Sequence, residues 1–208
     1  MPTRLVREFP LFPLGIVALP GEIVPLHIFE ERYKAMVEHC LRTGREFGIV
    51  WLSDDGLRPV GCACEISEVL ERMEDGRVNL LARGTRPFRI VDRDERLPYP
   101  AGTVEFLEDS EEEPETATLA TARETYALLV ERATDSAPAA SELSEMGSYA
   151  MAATVDFGLD AKQGLLDLRS ENARLRLVTR LFRAATKRLE LVSRAQTRAR
   201  SNGKVRFT

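Results

Sequence analysis

Between Glu105 and Glu115 the sequence EFLEDSEEEPE puts seven acids and a proline into eleven residues. So many carboxylates cannot be buried without partners, and proline interrupts both helix and sheet, so the stretch reads as a solvated linker. The chain must therefore fold on either side of it. Before the linker, short runs of Val, Ile, Leu and Phe are broken by Gly and Pro, the pattern of strands. After it, apolar residues recur at spacings of three and four, the pattern of helices. The division expected is a β-rich barrel domain over 1–108, an acidic linker over 109–116, a helical domain over 117–193 and a basic flexible tail over 194–208.

Within the first domain the spacing predicts strands over 15–19, 23–29, 47–52, 60–70, 77–83, 87–92 and 103–107. Asp75-Gly76 in VLERMEDGRVNLL is the two-residue signal for a tight hairpin turn with positive φ. One helix interrupts the strands: in EERYKAMVEHCLRTG the residues Tyr33, Met36, Val37, Cys40 and Leu41 share a face, and Gly44 stands where a C-terminal cap belongs. Glu30 and Glu31 fall in its first turn, where the helix dipole favours acids. Beyond the linker, Leu119 to Ala133 and Leu143 to Phe157 are spaced as helices. A long amphipathic helix follows Ser170, with Leu175, Val178, Phe182, Ala185, Leu189 and Val192 as its seam and arginines on its outer face.

The chemistry these residues permit is narrow. With 44% hydrophobic and 30% charged residues in 208, the composition is that of a globular protein, and no apolar run reaches the length of a signal peptide or a membrane span. A cytoplasmic location is expected, with no membrane partner. Three cysteines make an odd number without framework spacing, which fits reduced thiols. The sequence contains no phosphate-cradling glycine loop, no G-x-S-x-G elbow and no HExxH, so no catalytic, cofactor-binding or metal-binding residue is assigned. Cys62 and Cys64 alternate onto one strand face, as two thiolate ligands would, yet zinc sites generally use wider spacing and four ligands, and small hydrophobes in a strand core account for the pair. His27, flanked by aliphatics with no nucleophile beside it, reads as a hydrogen-bonded structural residue. Glu30 and Glu31 point about 100° apart on a helix and do not face each other as an acid–base pair does. From Arg169 to Thr208 there are 12 Lys and Arg against only Glu171 and Glu190, an asymmetry that calls for an anionic partner or for attraction within the chain.

Taken in order, FPLFPLGIVALPGEIVPLHIFEERYKAMVEHCL, then VGCACEISEVLERMEDGRVNLLARGTRPFRI, then SYAMAATVDFGLDAKQGLLDLRSENARLRLV resemble the N-terminal substrate-binding domain of Lon proteases over about residues 8–192. The resemblance implies an α+β protein: a PUA-like β-barrel with one internal helix, followed by a C-terminal helical bundle. It also implies a non-enzymatic module that binds unfolded or extended polypeptides, with a separate protease or chaperone as a further partner. Lon itself continues into an ATPase with a phosphate loop and a protease domain with a Ser-Lys pair. Neither is found here, so a stand-alone binding module is expected. Phe29, Tyr33 and Trp51 are the candidate lining of a peptide groove. The alternative is an RNA-binding protein, since PUA-like barrels also serve RNA and the tail is basic.

Overall fold

The computed structural model describes residues 5–202, with side chains as far as Ala195. Its elements are β1 (Leu5–Leu14), β2 (Ile23–Ile28), α1 (Glu31–Thr43), β3 (Phe47–Ser53), β4 (Gly56–Leu57), β5 (Val60–Arg72), β6 (Val78–Asp94), β7 (Ala101–Phe106), α2 (Thr116–Thr134), α3 (Ala140–Glu145), α4 (Ser148–Ala152), α5 (Leu159–Asp167) and α6 (Glu171–Asn202). Two units divide the chain: residues up to Glu111 with Ala152–Ser170, and Glu112–Met151 with Glu171 onward. Among the described residues no helix is long and apolar enough to cross a membrane.

In the first unit the strands run in the order β1-β7-β6-β5-β3, and a parallel pairing of β1 with β3 closes the ring into a barrel. β1 divides its partners: Leu5 to Pro10 pair with β7, and Leu11 to Leu14 pair with β3. That is how FPLFPL, with two prolines, serves as a strand, since proline is tolerated where a ladder is one-sided. The strand expected over 15–19 is instead irregular chain, although Val17, Ala18 and Leu19 are buried. Phe9, Leu11, Val50, Ala63, Phe88 and Val104 fill the barrel. Helix α1 is as expected, with Gly44 in the left-handed conformation at its end and Glu30 at its start.

β5 and β6 are longer than the barrel requires. The two strands expected over 77–83 and 87–92 are one strand, β6, whose first half pairs with β2 on one side and the far half of β5 on the other. This three-stranded extension is here called the wing. The turn between β5 and β6 differs from the expected one. Gly76 N–H donates to Met73 O and Met73 N–H to Arg77 O, and Gly76 alone of the pair has positive φ. It is thus a three-residue loop with glycine at the left-handed position.

Residues 152–170, expected in the helical domain, belong to the β unit. In α5, Gln163 Nε2 donates to Val60 O at 3.1 Å, and Lys162 Nζ meets Glu22 Oε1 at 2.5 Å. Leu165 and Leu166 are buried.

In the second unit α2 and α6 run side by side in the same direction. Glu115 N–H donates to Asn172 Oδ1 at their starts, and the Tyr126 and Phe182 rings lie 5.4 Å apart further along. Not every arginine of α6 faces outward: Arg174 is buried, donates to Glu171 Oε2 and Ser148 Oγ, and lies 4.3 Å from the Tyr149 ring. The helix expected over 143–157 is broken into α3 and α4, because Met146 is extended before Gly147, and Glu171 accepts from the freed Ser148 N–H. Leu175, Val178 and Phe182 of the seam are buried, whereas Leu189 and Val192 are exposed near the end of α2. No glycine or proline interrupts α6 before Gly203, and 194–202, expected as flexible tail, are helical; 203–208 lie outside the described residues.

Candidate functional site

The wing has a buried face and an open one. Val24 and Ile28 of β2 and Val78, Leu80 and Ala82 of β6 turn inward. Cross-strand partners share a face, so the opposite side is built in three rows across β2, β6 and β5. Ile23, Arg83 and Glu65 form the first, Pro25, Leu81 and Glu68 the second, and His27, Asn79 and Glu71 the third.

Two bulges create this arrangement. Regular alternation would set Glu65, Ser67, Val69 and Glu71 on one face. Instead Ser67 and Leu70 are extra residues in β5, so Glu65, Glu68 and Glu71, spaced by three, all face outward. Ser67 Oγ donates to Leu81 O at 3.0 Å, and Leu70 is thrust out to 54% exposure.

Hydrogen bonds order the third row. Asn79 Nδ2 donates to Glu71 Oε2 at 2.9 Å, which turns Asn79 Oδ1 toward His27 Nδ1 at 2.6 Å. A carboxamide oxygen only accepts, so the imidazole carries its proton on Nδ1. The His27 ring in turn stacks on Phe29 at 5.9 Å. In the first row Arg83 pairs with Glu65 at 2.5 Å. Ile23 and Phe29 are 49% and 59% exposed, so the β2 side of the face is apolar and the β5 side carries carboxylates.

A tight loop sets the position of β2. Glu22 N–H donates to Leu19 O, Leu19 N–H donates to the Glu22 carboxylate, and Lys162 holds the other carboxylate oxygen. The loop is stitched to β6 by Gly21 N–H to Gly84 O and Gly84 N–H to Glu22 O. LPGE is therefore scaffolding that aims the strand after it.

Of the three candidate groove residues, only Phe29 belongs to this face. Tyr33 is 5% exposed and packs on Phe12 at 4.3 Å, so it lines no groove; burial, more than the opposing Arg32 charge, raises its hydroxyl pKa. Trp51 is half-buried on the barrel strand β3, with the Arg58 guanidinium 5.1 Å from its ring. Ile23, Pro25, Leu81 and the three glutamates were missed. A helix-like spacing of acids inside a strand is the signal that would have found the glutamates.

Cys62 and Cys64 are fully buried in β5, and the Cys62 thiol is pushed well up by its hydrogen bond with Cys64 and by burial. Among the described residues no group of three or more His, Cys, Asp or Glu is placed to hold a metal ion. A cleft of about 610 Å³ beside the barrel is lined by Glu46, Thr85, Arg86 and Phe106 among others. Three of its polar groups are engaged with one another, since Arg86 and Thr85 both bond Glu46, and Arg86 lies 3.8 Å from the Phe106 ring.

Residues 8–184 match the family model of the ATP-dependent protease La (LON) substrate-binding domain. Lon protease 2 of Myxococcus xanthus is 27% identical over 203 residues, covering 89% of this chain and 24% of that protein. Lon protease of Anaeromyxobacter dehalogenans is 26% identical over 200 residues, covering 88% and 24%. The chain thus spans about a quarter of the length of these relatives. Among solved structures, the Lon N-terminal domain protein from Xanthomonas campestris aligns with a TM-score of 0.64 at 28% identity, over 82% of this chain and 96% of that one. The N-terminal domain of Mycobacterium avium complex Lon protease aligns at 0.63 over 85% and 98%, and at 22% identity it speaks for the fold alone.

Proposed function

The chain belongs to the family of ATP-dependent protease La (LON) substrate-binding domains, and from that premise we propose that it recognises polypeptide segments through the open face of the wing. The observation that carries this reading is the exposed apolar side of that face, Ile23 and Phe29 beside Pro25, on a strand whose far edge pairs with no other described strand. Strand addition along that edge is handicapped, because Pro25 has no N–H to offer. Binding therefore works by covering side chains: burying each of Ile23 and Phe29 contributes on the order of 1–2 kcal/mol before ordering costs, which suits weak, sequence-tolerant capture. The domain holds the segment without transforming it, and a separate protease or chaperone acts on what is held. Support for the holding step is the match of residues 8–184 to a substrate-binding domain.

The test is fluorescence anisotropy with a labelled, chemically unfolded protein. Ile23→Ser with Phe29→Ser should weaken binding at least about tenfold while the melting temperature stays within a few degrees, since both side chains are already exposed. Unchanged affinity in the folded double variant overturns the assignment of the face.

A second reading, phosphate binding, is favoured by one observation: Arg180, Arg183 and Lys187 are exposed at spacings of three and four along α6. RNA bound there loses affinity steeply with added salt, and in proportion to the cations removed. Polypeptide held on the wing does not.

A further inference from the structure

We infer that the wing face selects polypeptide segments in which an apolar residue is flanked by lysine or arginine. This rests on the reading of the wing as the polypeptide site and adds the chemistry of what it accepts. The bulged strand β5 presents Glu65, Glu68 and Glu71 as a column, two strands away from the apolar column of β2. Two strand spacings are roughly 10 Å, so a segment whose apolar side chain covers Ile23 or Phe29 carries its neighbouring side chains over β6 toward those carboxylates. A single cation of the face, Arg83, opposes the three, and it is engaged with Glu65. Among the described residues the Glu71 carboxylate accepts only from the neutral Asn79 amide. The exposed Glu68 carboxylate makes no ion pair or hydrogen bond among the described residues. A basic side chain meets two carboxylates without a cation partner, whereas an acidic one meets like charge at close range, which gives selectivity by attraction and by repulsion together.

The probes are three fluorescein-labelled peptides of equal length and identical apolar centre, flanked by lysine, serine or glutamate. Each is titrated with the full chain at low salt and at high salt. The lysine peptide should bind roughly tenfold more tightly than the glutamate peptide at low salt, with the gap closing as salt screens the exposed charges. Glu68→Gln with Glu71→Gln should cost the lysine peptide about three- to fivefold and leave the serine peptide unchanged. The carboxamide that replaces the Glu71 carboxylate still accepts from Asn79, so the row remains intact and the fold is checked by its melting temperature. Equal binding of all three peptides overturns the charge selection while the polypeptide reading stands. A preference for lysine that survives in the double variant also overturns it, because the carboxylates are then not its source. If none of the peptides binds and unfolded protein is not held either, both readings fall.

Discussion

Gly84 is the residue on which the placement of the wing turns. An alanine Cβ there would lie 2.1 Å from Leu19 O, 2.9 Å from Leu19 C and 3.1 Å from Cys62 Sγ. The first two are backbone atoms and cannot be moved by a rotamer change. Leu19 is fully buried and tied to Glu22, which Lys162 anchors, so the loop has to shift as a body. Shifting it strains or breaks the two backbone hydrogen bonds between Gly84 and the loop, worth about 1 kcal/mol each, and overpacking adds about 1–3 kcal/mol. The lower entropy of an unfolded alanine chain returns only about 0.4–1 kcal/mol. Gly84→Ala should therefore destabilise the β unit by about 3 kcal/mol, or roughly 10 °C in midpoint. Trp51 is the sole tryptophan and lies in barrel strand β3, so its fluorescence during thermal or urea unfolding reports this unit. Gly15→Ala, where no atom lies within 4 Å of the added Cβ, is the control and should be neutral. If Gly84→Ala melts within a degree or two of the parent and binds peptide equally well, the close approach of the loop to β6 does not position the strand.

Three further outcomes are expected. All three thiols are buried, so a thiol reagent should label none in the native protein and all three in denaturant; rapid native labelling of any one refutes the placement. Burial raises the Cys40 pKa from 9.0 to about 11, so its contribution to stability is complete below about pH 9 and is lost as pH rises through about 11, because the unfolded thiol ionises first. The midpoint should hold from neutrality to about pH 9 and then fall, with a shallower fall in Cys40→Ala; equal slopes would point to other groups. Arg174→Met takes the buried cation away from Glu171, whose carboxylate keeps the neutral Ser148 N–H and hydroxyl as donors, and should cost about 3 kcal/mol by far-ultraviolet circular dichroism, with a loss under about 1 kcal/mol counting against the buried network. Truncation after Ser193 removes no residue of the barrel or wing, so the Trp51 midpoint and peptide binding should match the full chain; a large drop in either would show that the end of α6 supports the β unit.

Short apolar runs broken by Gly and Pro are enough to find most strands, because each strand contributes buried residues to the β unit. They fail where a strand changes partner or slips register. FPLFPL is not among the expected strands, its two prolines argue against one, and nothing local discloses that β1 pairs with β7 along one half and β3 along the other. EISEVLE was read as a strand although its acids and aliphatics recur every three residues, a helical interval; the bulges at Ser67 and Leu70 reconcile that spacing with an extended chain. Bulges depend on the neighbouring strand, so the glutamate column was invisible until β6 was in place. Tyr33 was chosen for its aromatic ring, yet its place on the apolar face of α1 already marked it as core. Phe29 lies beyond that stripe, and it is the one candidate left exposed.

The barrel is closed by the pairing of β1 with β3, and Phe9, Leu11 and Phe88 are packed inside it. The recognition proposed for the β unit is accordingly placed on its outer surface, and the wing is where that surface departs from what folding alone requires. A strand selected only for packing would alternate cleanly and turn Leu70 inward, whereas β5 gives up two ladder positions and exposes a leucine to bring three carboxylates onto one side. Bulges disrupt the ladder locally, and their frequent use is to re-aim side chains near functional surfaces. In β5 their product is a face with apolar residues at one edge and acids at the other, set beside a β2 strand that the LPGE loop holds in place.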